Sequence, residues 1–294
     1  MLNGEWLITS TTGPWSQGDA ACRDEFGAEY AFAAPVNAQL NKALRDFAAS
    51  SSVPQLWINA TDSETEGDWI VKQHTATEEV WGVDANDNIY TRDADGNWTQ
   101  TYGLLTHVSV GADGTVWGVN THDYIYYRDR DTDSWVKVSG LLKQISVGSA
   151  DHIWGVNTNN QVYRRGQGAW IRDDSISLEY ISAGADGSVW GINQNQKVFY
   201  RDQETGQWVV VFGNMVQLSV GADGVVWAVN GNDQIYYRGE SDWVNVSGRL
   251  KHVSVAADGT VWGVNANNRI YRREGDGWVG FDDVSLVQIS TDGF

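Results

Sequence analysis

Six tryptophans, Trp81, Trp117, Trp154, Trp190, Trp227 and Trp262, are each followed eleven residues later by an arginine: Arg92, Arg128, Arg165, Arg201, Arg238 and Arg273. Between them, three residues after the tryptophan, five of the six copies carry a carboxamide, Asn120, Asn157, Asn193, Asn230 and Asn265. Nine residues after it, five carry a tyrosine, Tyr90, Tyr126, Tyr163, Tyr236 and Tyr271. Aromatic faces stack against the apolar C–H face of a sugar, while guanidinium and carboxamide groups bond to hydroxyls. A neutral sugar needs this set, so all 22 residues are candidate carbohydrate-binding residues. The alternative is packing: a guanidinium laid on an indole is worth roughly 0.5–2 kcal/mol without any ligand. Catalysis needs one unsymmetrical cluster, and the sequence shows no Ser/His/Asp arrangement or metal-ligand spacing; the chain reads as non-enzymatic, with no cofactor or metal implied.

A fixed interval requires a fixed hairpin. The tryptophans lie in a Val-Trp-Gly-Val core that returns every 35 to 37 residues, flanked by short runs rich in Val, Ile, Tyr and Trp. Tight turns such as Asp113-Gly114, Asp186-Gly187 and Asp258-Gly259 separate the runs, which read as strands. A later tryptophan in each copy (Trp98, Trp135, Trp170, Trp208, Trp243, Trp278) falls on a final strand, where it either covers an outer edge or offers a stacking platform. Taking Thr121–Tyr124 as the loop, Trp117 faces Arg128 and Val119 faces Tyr126, which predicts that these four share one sheet face.

Four short antiparallel strands per copy cannot bury both faces alone, and radial stacking leaves only short edges. The reading is mainly β: a six-bladed β-propeller over residues 74–294, with a small α+β element over residues 1–73. The last residues, Val287–Gly293, match the start of a repeat but lack its Val-Trp-Gly-Val. They are therefore expected to supply the strand that the first repeat lacks. Ahead of each Ser-Val strand stands a polar residue: His107, Gln144, Tyr180, Gln217, His252 and Gln288. These are expected to line a central channel, bonding either to one another and water or to a bound ion or small ligand.

A net charge of −18 argues against nucleic acid or an anionic membrane as the main partner. The single cysteine, Cys22, forms no internal disulfide, and no run of about 18 apolar residues suggests membrane insertion. The N-terminus lacks a basic region followed by an apolar core, an expectation of cytosolic synthesis with export by a non-classical route left open.

In residues 1–73, Ser16–Phe26 and Asn37–Ala49 read as capped helices. The order of Trp15-Ser16-Gln17-Gly18-Asp19-Ala20-Ala21-Cys22, Tyr30-Ala31-Phe32-Ala33-Ala34-Pro35, Leu56-Trp57-Ile58-Asn59 and Gly67-Asp68-Trp69 resembles the first half of a C-type-lectin-like domain, without the half that holds that family's calcium and sugar ligands. From residue 74 onward, Val-Trp-Gly-Val-Asn followed by Ile-Tyr-Tyr-Arg and a later Trp-Val is similar to tectonin repeats. That resemblance implies a propeller lectin whose partners are glycans on microbial or cell surfaces, some O-methylated, held in clefts between blades. The alternative is a protein-interaction or assembly scaffold, and a homo-oligomer stays open.

Overall fold

The computed structural model describes residues 80–291 except 94, 167 and 223. The two helices and the half-lectin resemblance expected in residues 1–73 lie outside the described residues.

Six four-stranded antiparallel sheets follow one another around a ring, as the repeat requires. Blade 2 runs outward through His107–Val110, Val116–Val119, Tyr124–Asp129 and Ser134–Leu141. Blades 3 to 6 repeat this order, with innermost strands Gln144–Ser149, Tyr180–Ala183, Gln217–Val220 and His252–Val255. Blade 1 is assembled from both parts of the chain: Gln288–Thr291 pairs with Val80–Val83, Val80 opposite Thr291 and Val83 opposite Gln288. The closing strand expected from the sequence is therefore in place. Among the described residues no helix is long and apolar enough to cross a membrane.

The innermost strands touch in ring order, and a serine on each bonds to the backbone of the next. Ser290 Oγ accepts from the Val110 amide, Ser109 from Val147, Ser146 from Ala183, Ser182 from Val220, Ser219 from Val255 and Ser254 from Thr291, at 2.9–3.1 Å. These amides lie on strand edges buried against the adjacent blade, where an unpaired N–H would cost about 1–3 kcal/mol.

Each core cluster lies between two blades. Trp81, Val83 and Ile89 of blade 1 pack with Leu105, Val108, Val110 and Val116 beside or on blade 2, and five equivalent layers complete the ring. The glycine after each inner tryptophan is required by this layering. A Cβ on Gly118 would stand 2.4 Å from Leu105 Cδ1 and 2.9 Å from the His107 carbonyl oxygen, and Gly155 meets Leu142 in the same way at 2.5 Å. Blade 5 carries Ala228, and the leucine has become Met215. An unbranched thioether bends around the extra methyl where a leucine branch cannot.

One sequence expectation is corrected. Trp117 pairs with Tyr127, Gly118 with Tyr126 and Val119 with Ile125, one residue away from the expected register. Asn120 closes the loop against Tyr124 through a three-residue turn in which Asp123 is left-handed (φ 62°). A one-residue slip moves a side chain to the other face. Tyr126 and Arg128 thus lie on the face opposite Trp117 and Val119, and a tryptophan does not share a face with the arginine of its own blade.

The Gly/Leu layering yields a direct test. Gly118→Ala should destabilise the protein by about 1–3 kcal/mol in urea unfolding. Adding Leu105→Met should restore part of that loss, giving a coupling energy that independent sites would not show.

Candidate functional site

With the register corrected, each cleft between blades takes its wall groups from both. Tyr126, Trp135 and Arg128 of blade 2 face the tryptophan of blade 1, and Trp135 meets Trp81 edge-on at 6.0 Å. The same edge-on contact joins Trp117 to Trp170, Trp154 to Trp208, Trp190 to Trp243 and Trp227 to Trp278.

The arginines sit on these indoles. Arg165 lies 5.7 Å from Trp117 of the preceding blade and 5.4 Å from its own Trp170, so it fills the corner between two rings. Arg201 lies 5.6 Å from Trp154, and Arg92 5.3 Å from Trp262. Arg128, Arg238 and Arg273 lie 5.5–5.8 Å from Trp135, Trp243 and Trp278 of their own outer strands. The packing alternative read from the sequence is therefore present, but these six arginines meet a tryptophan across the cleft or on their own outer strand and not the inner tryptophan of their own blade; only Arg272, one position earlier in blade 6, lies over its own Trp262, at 5.6 Å. Four of the later tryptophans bond to the preceding blade: Trp135, Trp243 and Trp278 donate Nε1–H to the carbonyls of Tyr102, Phe212 and Ser247, and Trp208 donates to Asp173 Oδ2, whereas Nε1 of Trp98 and Trp170 is buried without a partner.

The clefts differ in access. Arg128 pairs with Asp133 and is only 8% exposed, whereas Arg201, 3.7 Å from Asp173, is 30% exposed. Arg92 Nε, Arg128 Nε and Nη1, and Arg201 Nε are buried with no hydrogen-bond partner. The five tyrosines paired with the small residue after each inner tryptophan, Tyr90, Tyr126, Tyr163, Tyr236 and Tyr271, pack half-buried against the preceding blade's core, as does Phe199 in blade 4.

The asparagines serve the turns. Asn120 Oδ1 accepts from the amides of His122 and Tyr124, both at 3.0 Å. Asn157, Asn193, Asn230 and Asn265 repeat both bonds, and Asp84 makes them in blade 1. Their carboxamide oxygens are thereby committed to loop closure, leaving only Nδ2 for other partners.

A further group was not singled out in the sequence. Tyr127, Tyr200 and Tyr237 lie against Trp117, Trp190 and Trp227 at 5.5–5.6 Å and widen the aromatic wall in three clefts. The other blades have Thr91, Arg164 and Arg272 there. Variation at one repeat position was the available signal.

The expected channel residues do meet at the channel, in two kinds. Gln144 Nε2 donates to the carbonyls of Ile145 and Ile181, while its Oε1 accepts from the Ile181 amide. Gln217 and Gln288 bridge to Val253 and Val108 in the same way. On the alternate blades His107, Tyr180 and His252 line the cavity. Burial pushes His107 down to about 4; burial, then the neighbouring His107 and Lys251, push His252 to about 3. Burial raises Tyr180 to about 12.

A family model described as Tectonin domain matches residues 71–240 and 214–294. No curated protein matches the chain. Among solved structures, it is similar to YCF48 bound to a D1 peptide (14% identity, 71% of this chain and 79% of that one, TM-score 0.48). It is also similar to the β-propeller domain of Cps50 (Swd1) from Myceliophteria thermophila (11%, 71% and 85%, 0.48) and to a protein of unknown function from Bacteroides thetaiotaomicron (11%, 71% and 80%, 0.46).

The channel imidazoles imply an acid-sensitive term. The titratable groups facing His252 are His107, Tyr180 and Lys251. Because the folded pKa values lie below the ordinary 6.5, the unfolded chain binds more protons. Stability is unaffected above about pH 7 and falls as pH drops from 6.5 towards 4, by on the order of 3 kcal/mol for His107. In EDTA, replacing both by His107→Gln and His252→Gln should flatten this part of the melting-temperature profile between pH 7 and 4.

Proposed function

Because the chain belongs to the tectonin-domain family, whose model spans its propeller, we propose that it is a non-catalytic, multivalent glycan-binding protein. It takes neutral sugars, O-methylated ones among them, from glycoconjugates on microbial or cell surfaces into the clefts between blades. The observation that carries this reading is the repeated corner of guanidinium and indole between blades, with the Arg201 side chain still 30% exposed. A hydroxyl or ether oxygen satisfies a guanidinium donor without bringing a charge into a molecule of net charge −18. The half-buried outer-strand tryptophan and the tyrosine beside it supply an apolar wall for C–H faces and for a methyl on a sugar oxygen, whereas Trp81, Trp117, Trp154 and Trp262 are buried in the core.

Affinity per cleft is expected to be weak, on the order of millimolar or about −4 kcal/mol. A rigid ring of similar clefts turns weak single contacts into firm attachment to a repetitive surface where the spacing matches. Unequal access at Arg128 and Arg201, and the unequal presence of Tyr127, Tyr200 and Tyr237, make the clefts unequal in strength.

A protein-interaction scaffold is the second reading, favoured by one specific surface. The outermost strand of blade 4, Trp208–Asn214, exposes Val209, Val210 and Phe212, the last at 92%. An apolar outer strand offers a partner both side chains and unpaired backbone.

The two readings separate on a glycan array that includes O-methylated mannose and fucose, probed in chelator, followed by calorimetry with the best monovalent sugar. Arg201→Ala should lower the number of sites by one while Phe212→Ala leaves sugar binding unchanged. Silence across the array, with a captured protein partner that is lost in Phe212→Ala, would replace the lectin reading by the scaffold.

A further inference from the structure

The level of the channel just below the serine ring is organised with a three-fold alternation that blade closure alone does not require. At this position Gln288, Gln144 and Gln217 stand on blades 1, 3 and 5, and each donates Nε2–H both to its own strand and to the next blade. Three glutamines thus satisfy the carbonyls of Val108, Ile145, Ile181, Leu218, Val253 and Ile289, one on every blade. The intervening blades are freed from bridging, and there the chain places His107, Tyr180 and His252.

All four ring nitrogens of His107 and His252 are out of contact with solvent and have no hydrogen-bond partner. The two imidazoles and the Tyr180 phenol border one cavity of about 30 Å³, together with Ser109, Ser146, Ser182 and Ser254. Gln217 Nε2 donates to Tyr180 Oη at 3.2 Å and orients it. Two imidazoles left unpaired in a polar cavity point to a ligand that takes nitrogen lone pairs.

We propose that His107 and His252, with Tyr180 Oη as third donor, hold a single divalent cation of the zinc, copper or nickel class on the channel axis. The three donors come from blades 2, 4 and 6, one third of the ring apart, which is the disposition of a trigonal set that leaves a further position for water. Imidazole suits these metals, whereas calcium and magnesium demand carboxylate and carbonyl oxygens, and no carboxylate borders the cavity. The volume accommodates an ion with one water. The role is that of a pin joining three alternate blades at the axis, independent of the clefts.

The test uses untagged full-length protein stripped with EDTA and then titrated separately with zinc, copper and nickel chlorides. The expected result is one equivalent bound, a rise in melting temperature, and a copper electron paramagnetic resonance spectrum with hyperfine structure from two nitrogens. His107→Gln with His252→Gln installs on blades 2 and 6 the residue already present on blades 1, 3 and 5, so folding should survive, and binding should weaken by at least about a hundredfold. Tyr180→Phe keeps the ring but removes the oxygen; it should weaken binding about tenfold, and it serves as the test should the double variant misfold. Replacing His122 and His152, which lie elsewhere, by alanine should leave binding unchanged. Absence of saturable binding to any of the three metals, or binding undiminished in both channel variants, overturns the proposal and leaves a cavity that holds only water. Because the glycan assays are run in chelator, neither result bears on the lectin reading.

Discussion

A backbone amide on the inner edge of one blade must find an acceptor on the next, and the serine hydroxyl at that level supplies it six times around. The rest of the molecule is organised by this constraint. An isolated four-stranded sheet has two edges and two faces to cover. Stacking covers the faces, but only closure covers the last one, and the last bond of the ring is Ser254 with Thr291 on the strand delivered by the far end of the chain. That strand pairs with Val80–Val83 and simultaneously gives Ser290 to blade 2. Its loss would remove one strand from blade 1 and also interrupt the ring at two places.

Ring spacing sets cleft depth, and the residues proposed for recognition are ones that also pack the clefts. Near the axis, glycine against leucine brings neighbouring sheets close, as at Gly118 and Leu105; farther out, the clefts open enough for two indoles and a guanidinium. The exchange to Ala228 with Met215 in blade 5 illustrates how tightly the inner level is filled. At the outer level the walls may vary freely, and the tyrosine that stacks on the tryptophan in blades 2, 4 and 5 is replaced by threonine or arginine in the others. Variation is thus concentrated where a ligand would touch.

The architecture was legible because it is written six times. A 35–37-residue period, two short β-rich runs with turn residues between them and an orphan strand at the C-terminus lead to six blades and to closure without further information. The register was not, because counting apolar residues cannot tell a three-residue loop from a four-residue one. The deciding feature is the backbone of Asp123, left-handed and capped from Asn120. That single residue reverses which ring an arginine meets. Trp117 and Arg128 are near in sequence but on opposite faces, whereas Trp117 and Arg165 are 48 positions apart and stack. The division of labour in the channel was also hidden. Glutamine and histidine are both simply polar in a sequence, and only the bonds to Ile145 and Ile181 show that Gln144 serves two blades and relieves its neighbours of the task.

The central functional claim is that sugar enters between blades, beside the arginines. A titration of isotope-labelled protein with a panel of neutral and O-methylated monosaccharides, followed through the arginine Nε–H and tryptophan Nε1–H resonances, addresses it residue by residue. The account predicts shifts confined to Arg201, Arg92 and the cleft tryptophans beside them, with the half-buried Trp208 and Trp98 among the most affected. Sugar-dependent shifts that leave every cleft arginine and indole in place, and fall on the outer strand at Phe212 or on the channel at Tyr180, would contradict it.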